Sequence, residues 1–119
     1  MIGIILLALG AALGAAARAY IVSLKIFERF SLPYGTFTVN VVGAFLMGLS
    51  IPLIIQGSLL YFMVIFGFLG GLTTYSAFTL DQLRLFEAKA FRKLIKYTFM
   101  MMFFCLVALA LGLMVGVSV

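Results

Sequence analysis

The sequence predicts an all-α integral membrane protein of four transmembrane helices, the third of them broken in mid-membrane. Three observations predict it. Of the 119 residues, 66% are hydrophobic and only 9% are charged, whereas a soluble domain of this size needs a polar skin with near 25% charged residues. The apolar residues fall into four stretches, each close to the ~20 residues a helix needs to cross the hydrocarbon core. Adjacent glycines and a run of hydroxyl residues interrupt the third stretch. This excludes water-soluble enzymes, secreted modules and nucleic-acid binders. The eight Lys and Arg against three Asp and Glu, net charge +5, read as basic loops held on the cytoplasmic side. There is no His, no metal-ligand cluster and no Ser/His/Asp set, so membrane metalloenzymes and serine hydrolases have nothing to work with. The single Cys105 lies in an apolar run and builds no disulfide framework.

The chain is one domain, residues 1–119, with spans expected at about 2–24, 33–56, 59–80 and 95–117. The first is too long for a signal peptide and lacks a basic leader. Arg18 is its one charge. Small residues repeat at four-residue spacing, Gly10 with Gly14, Ala11 with Ala15 and Ala12 with Ala16, which lets helix backbones approach closely in lipid. A polar loop, Lys25 to Ser31, follows. The second span opens on Pro33, suited to a first helical position. It carries Asn40, Gly43, Ala44 and Gly48, and Pro52 is expected to bend it. The short turn Gln56-Gly57-Ser58 makes spans two and three antiparallel neighbours.

The third span contains Gly70-Gly71-Leu72-Thr73-Thr74-Tyr75-Ser76-Ala77-Phe78-Thr79, which is poor helix material. Broken helices at membrane depth are tolerated only in a protein interior or a wet cavity. From Asp81 to Lys93 the chain is polar, but Leu83, Phe86, Ala90 and Leu94 recur at helical spacing and predict helical extensions or a short surface helix. The fourth span has Ala108, Gly112 and Gly116 as its small face.

No Asp or Glu is expected inside a span. A proton-coupled exporter needs a titratable group at membrane depth, and a cation pore needs an acidic ring, so both are disfavoured. The remaining polar groups are donors: the amide of Asn40, the hydroxyls of Thr73, Thr74, Tyr75, Ser76 and Thr79, and the charge of Arg18. Such a set suits a small anion, whose lost hydration must be replaced inside hydrocarbon, and ring edges of Phe and Tyr add positive potential. Each residue also has a plainer reading. Asn40 can be a helix–helix hydrogen bond, the Ser and Thr hydroxyls can return to their own helix carbonyls, and Arg18 can be a snorkelling anchor.

Three strings in order carry more weight: Gly14-Ala15-Ala16-Ala17-Arg18, Pro33-Tyr34-Gly35-Thr36-Phe37-Thr38-Val39-Asn40, and Gly70-Gly71-Leu72-Thr73-Thr74-Tyr75-Ser76-Ala77-Phe78. With them the chain resembles the Fluc (CrcB-like) fluoride channel family over nearly its whole length. The resemblance implies an antiparallel dimer of four-helix subunits in the cell membrane that passively exports fluoride. It also implies a structural sodium ion held by backbone carbonyls, here those of Gly70 and Thr73. The anion pathway would include Asn40, Tyr75, Ser76 and Phe78, and Arg18 would sit in the vestibule. Three positions depart from the family pattern: Tyr75 stands where Phe is usual, Ala77 where Thr is usual, and the deep fourth span offers only Cys105 in place of a hydroxyl track.

The expected function is therefore that of a fluoride channel subunit, not an enzyme. Two alternatives stay open: a largely structural subunit of a heterodimeric channel, and a small proton-coupled exporter. Parity bears on the partner. Lys25, Arg29, Arg84, Lys89, Arg92, Lys93, Lys96 and, at its edge, Arg18 all fall on the side of the loops after spans one and three, and the other side has none of the eight. That bias fixes orientation, with both termini outside. It favours a heterodimer with a related, inverted subunit over a homodimer.

Overall fold

A computed structural model describes the chain except Phe30, Ser31 and Gln56 and the side chains of Glu28 and Arg29. The end of the first loop at Ser31, the expected end of span two at Gln56 and the Arg29 charge therefore lie outside the described residues. The elements are α1 (Ile2–Val22), a 3-10 turn (Lys25–Arg29), α2 (Tyr34–Leu53), α3 (59–72), α4 (Tyr75–Glu87) and α5 (Phe91–Ser118). Helix α3 is α-helical at Leu59–Tyr61 and Gly70–Leu72 and widens into a π-helix over Phe62–Leu69. With α3 and α4 taken as one interrupted span, four helical stretches are long and apolar enough to cross a membrane.

The helices associate as two parallel pairs, α1 with α3 and α2 with α5. In lipid there is no hydrophobic drive to join helices, so close backbone contact must do it, and glycine permits that contact. A Cβ placed on Gly14 would come within 2.8 Å of the Leu72 amide nitrogen, and one on Gly112 within 2.9 Å of that of Leu49. The seams are thus Gly10 and Gly14 against Gly67 and Gly71, and Gly48 against Gly112 and Gly116. Ala11 and Ala15 belong to the first seam, while Ala12 and Ala16 are exposed on the subunit surface. So one of the three small-residue rows of α1 has no role within the subunit. Pro52 lies inside α2 one residue from its end and meets Gly116.

Side chains join the pairs. Val39 of α2 packs with Ile65, Leu69 and Leu72 of α3, with Ala17 and Ile21 of α1 around them. Leu32, Phe78, Tyr97 and Met101 form a second cluster at the end where α4 and α5 meet. Large apolar side chains elsewhere, such as Ile4, Phe66, Phe99, Phe103 and Leu106, are exposed, the arrangement that a lipid solvent permits.

The interruption of span three is narrower than the glycines suggest. Gly70 and Gly71 are helical; only Thr73 (φ −83°, ψ 157°) and Thr74 (φ −153°, ψ 128°) are extended. Gly71 is needed in the helix because its backbone lies against Ala11 and Ala15. Helix α4 restarts at Tyr75 with the Thr74 hydroxyl accepting from the Ala77 amide at 3.1 Å, an N-cap that stabilises a helix by about 1 kcal/mol. It runs to Glu87, and Lys89 (φ 59°) turns the chain into α5. The polar segment after Asp81 is thus a helical extension.

Candidate functional site

The break is held by side chains from two other helices. Asn40 of α2 lies opposite Thr74. Its Oδ1 accepts from the Thr74 amide at 2.8 Å, and its Nδ2 donates to the Thr74 carbonyl at 3.0 Å. The same Nδ2 lies 3.7 Å from the Met101 sulfur. In an unbroken helix the Thr74 amide would bond to the Gly70 carbonyl; here Asn40 receives it. Arg18 of α1 donates from Nε to the Gly71 carbonyl at 3.2 Å. The Thr73 hydroxyl returns to the Leu69 carbonyl at 2.9 Å, the plain behaviour of threonine in a membrane helix.

A groove of about 460 Å³ opens beside the break. It brings together Asn40, Thr73, Thr74, Tyr75 and Phe78, with Cys105 from α5. Its other walls are apolar. Ser76 lies outside it, on the exposed face, with its hydroxyl 3.1 Å from that of Thr74. Gly70 and Arg18 are likewise not among its walls. The aromatic rings form an edge-on series: Tyr75 to Phe78 at 6.2 Å between centroids, then Phe78 to Tyr97 at 5.3 Å. Phe78 is buried and Tyr75 exposed.

Below Phe78 lies a polar group that the sequence reading placed only at a span end. The fully buried Tyr97 donates its hydroxyl to Asp81 Oδ2 at 3.1 Å, and Gln82 donates to the Thr98 hydroxyl at 2.8 Å. Asp81, itself half-buried, thereby ties α4 to the buried Tyr97 of α5. The sequence carries this contact only as two adjacent polar pairs, Asp81-Gln82 and Tyr97-Thr98, 16 residues apart.

Chemically, one wall of the site carries the Asn40 amide and the threonine hydroxyls, hydrogen-bonded within the subunit, beside the rings of Tyr75 and Phe78, and the break carries backbone oxygens. A hard cation takes oxygen ligands. The carbonyls at the break suit one, because extended backbone at Thr73 and Thr74 removes their helical partners. Gly70 is exposed, and a Cβ on it would meet no atom closer than 3.9 Å.

The family described as CrcB-like protein, Camphor Resistance (CrcB), matches residues 5–113. The chain belongs to that family. Relatives named "Fluoride-specific ion channel FluC" include one from Citrifermentans bemidjiense, 37% identical over 95% of each chain. Another, from Geobacter metallireducens, is 39% identical over 96% of each. A third, from Vibrio parahaemolyticus, is 46% identical over 74% of this chain and 73% of its own. With four membrane-capable helices, this CrcB-family chain is a multi-pass membrane protein.

Proposed function

We propose that the chain is one subunit of a fluoride-specific channel that lets fluoride leave the cytoplasm passively and so protects against its toxicity. One observation carries the reading: relatives named as fluoride channels align over nearly the entire chain. The groove agrees with it. Its wall includes Asn40, the threonines of the break and the rings of Tyr75 and Phe78, residue types whose N–H and O–H groups and ring edges suit a dehydrated anion once they turn to it. No carboxylate among the described residues is in its walls. Asp81 is not among them; the Tyr97 hydroxyl donates to it.

Gly70 and Thr73 would hold a structural sodium through their carbonyls. When bound, the ion would fix the backbone at the break by neutralising oxygens that a helix no longer pairs. One subunit supplies too few oxygens for a full shell, so a second would complete it. The partner is a related subunit in inverted orientation. By span parity the loop after α1 and the turn after α4 share one end of the molecule, and the basic residues of the sequence fall on that side. This end faces the cytoplasm, with both termini outside.

The deciding experiment is ion efflux from liposomes containing the purified chain, alone and with a related subunit of opposite charge bias. Fluoride should leave far faster than chloride, and independently of a proton gradient. Equal efflux of the two halides would overturn the reading, and flux that follows the proton gradient would favour an exporter. A largely structural role for this subunit predicts that Phe78→Leu leaves flux unchanged in the assembled complex.

A further inference from the structure

An interrupted helix leaves peptide groups unpaired, and in a bilayer each must find a partner. At the break of span three, the partners come from helices that belong to different pairs. Arg18 reaches in from α1 to the Gly71 carbonyl. Asn40 reaches in from α2 to both peptide groups of Thr74. The two residues therefore grip the chain on either side of Leu72 and Thr73, where it leaves the helix.

We propose that Arg18 and Asn40 are positioning residues that together clamp the break, Arg18 acting through the hydrogen bond of its Nε rather than as a vestibule charge. Two observations support this. First, the bond is made by Nε, the nitrogen nearest the backbone, which fixes the side chain against α3. Second, the clamp sorts the carbonyls. Those of Gly71 and Thr74 are taken by the two side chains. Those of Gly70 and Thr73 have no side-chain donor among the described residues. The guanidinium beside the Gly71 oxygen also keeps a cation from that oxygen. The clamp thus decides which oxygens remain for a cation. This last step rests on the channel reading; the clamp itself does not.

Side-chain length supplies the test. Glutamine carries its Nε2 as many bonds from the backbone as arginine carries Nε, so Arg18→Gln keeps the donor and removes the charge. Arg18→Lys keeps the charge and puts a methylene where the donor was. Arg18→Met removes both, and Asn40→Leu removes the other arm. Hydrogen–deuterium exchange of the purified full-length protein in nanodiscs reads the peptides spanning 67–78. Losing one hydrogen bond there should speed exchange about tenfold in Arg18→Met and Arg18→Lys, losing both bonds of Asn40 should speed it at least as much in Asn40→Leu, and Arg18→Gln should stay close to the parent. In liposomes, Arg18→Gln should keep its fluoride flux at saturating fluoride, and Arg18→Lys should lose it. The reverse order, with Arg18→Lys active and Arg18→Gln showing a raised half-saturating fluoride concentration, would overturn the proposal. So would unchanged exchange in Arg18→Met and Asn40→Leu. If the parent passes no fluoride, the channel reading fails, and the exchange data still decide the clamp.

Discussion

The amide of Asn40 imitates a peptide group. It offers one acceptor and one donor at the spacing of a backbone, and Thr74 takes both. Aspartate at this position would keep the acceptor for the Thr74 amide but would set an oxygen against the Thr74 carbonyl. An unmade bond of this kind costs about 1–3 kcal/mol, and an ionised carboxylate would also repel anions in the groove. Asn40→Asp is therefore expected to abolish fluoride flux while the dimer still assembles, as checked by efflux and by size-exclusion elution. Asn40 was legible in the sequence as a donor in an apolar span. Its partner was not, because Thr74 lies 34 residues away and no local pattern marks a cross-helix contact. The same holds for Arg18 and Gly71, 53 residues apart.

Neighbouring glycines in one element carry opposite burdens. Gly71 has no room for a side chain: a Cβ would collide with the Ala11 carbonyl and reach the Ala15 nitrogen at 3.0 Å. Gly70 faces away, with nothing closer than the Ile65 carbonyl at 3.9 Å. Gly71→Ala should thus destabilise the isolated subunit by about 1–3 kcal/mol through overpacking, lowering its thermal midpoint in detergent. Gly70→Val should leave the subunit folded yet impair dimer assembly or flux. Thr73→Ser, which keeps the backbone and the hydroxyl bond to Leu69, should impair them less than Gly70→Val does. A Thr73→Ser dimer less stable than the Gly70→Val dimer would count against backbone carbonyls as the cation ligands. The glycines and the hydroxyl run together announced a break, and the structure confines it to Thr73 and Thr74 of that run. Helix packing keeps Gly71 helical, and the threonines take the extended backbone that β-branched residues favour. The widened turn at Phe62–Leu69 has no compositional mark at all. Its apolar run reads equally well as an ordinary helix.

At the scale of the molecule, span parity puts all eight basic residues on the side of the loops after spans one and three. Four apolar spans and their order were legible because a bilayer demands length and composition, and glycine at four-residue spacing marked the faces that pack. The pairing of first with third and second with fourth was not legible, since every span carries small residues. The charge bias has a measurable consequence. Each basic group near an anionic leaflet is favoured by about 1 kcal/mol, so C-terminal reporter fusions should signal a periplasmic C-terminus almost exclusively. Equal signal on both sides, or a functional dimer formed from this chain alone, would favour a homodimer of dual orientation.

The glycine seams also set the order in which the protein can be made. Spans leave the ribosome one after another, yet none of the close-packed seams joins consecutive spans. Helix α1 must wait for α3. The seam face of α2 around Gly48 stays uncovered until α5, the last helix, has been inserted. A nascent chain released early would hold apolar helices with no partner for their packing faces.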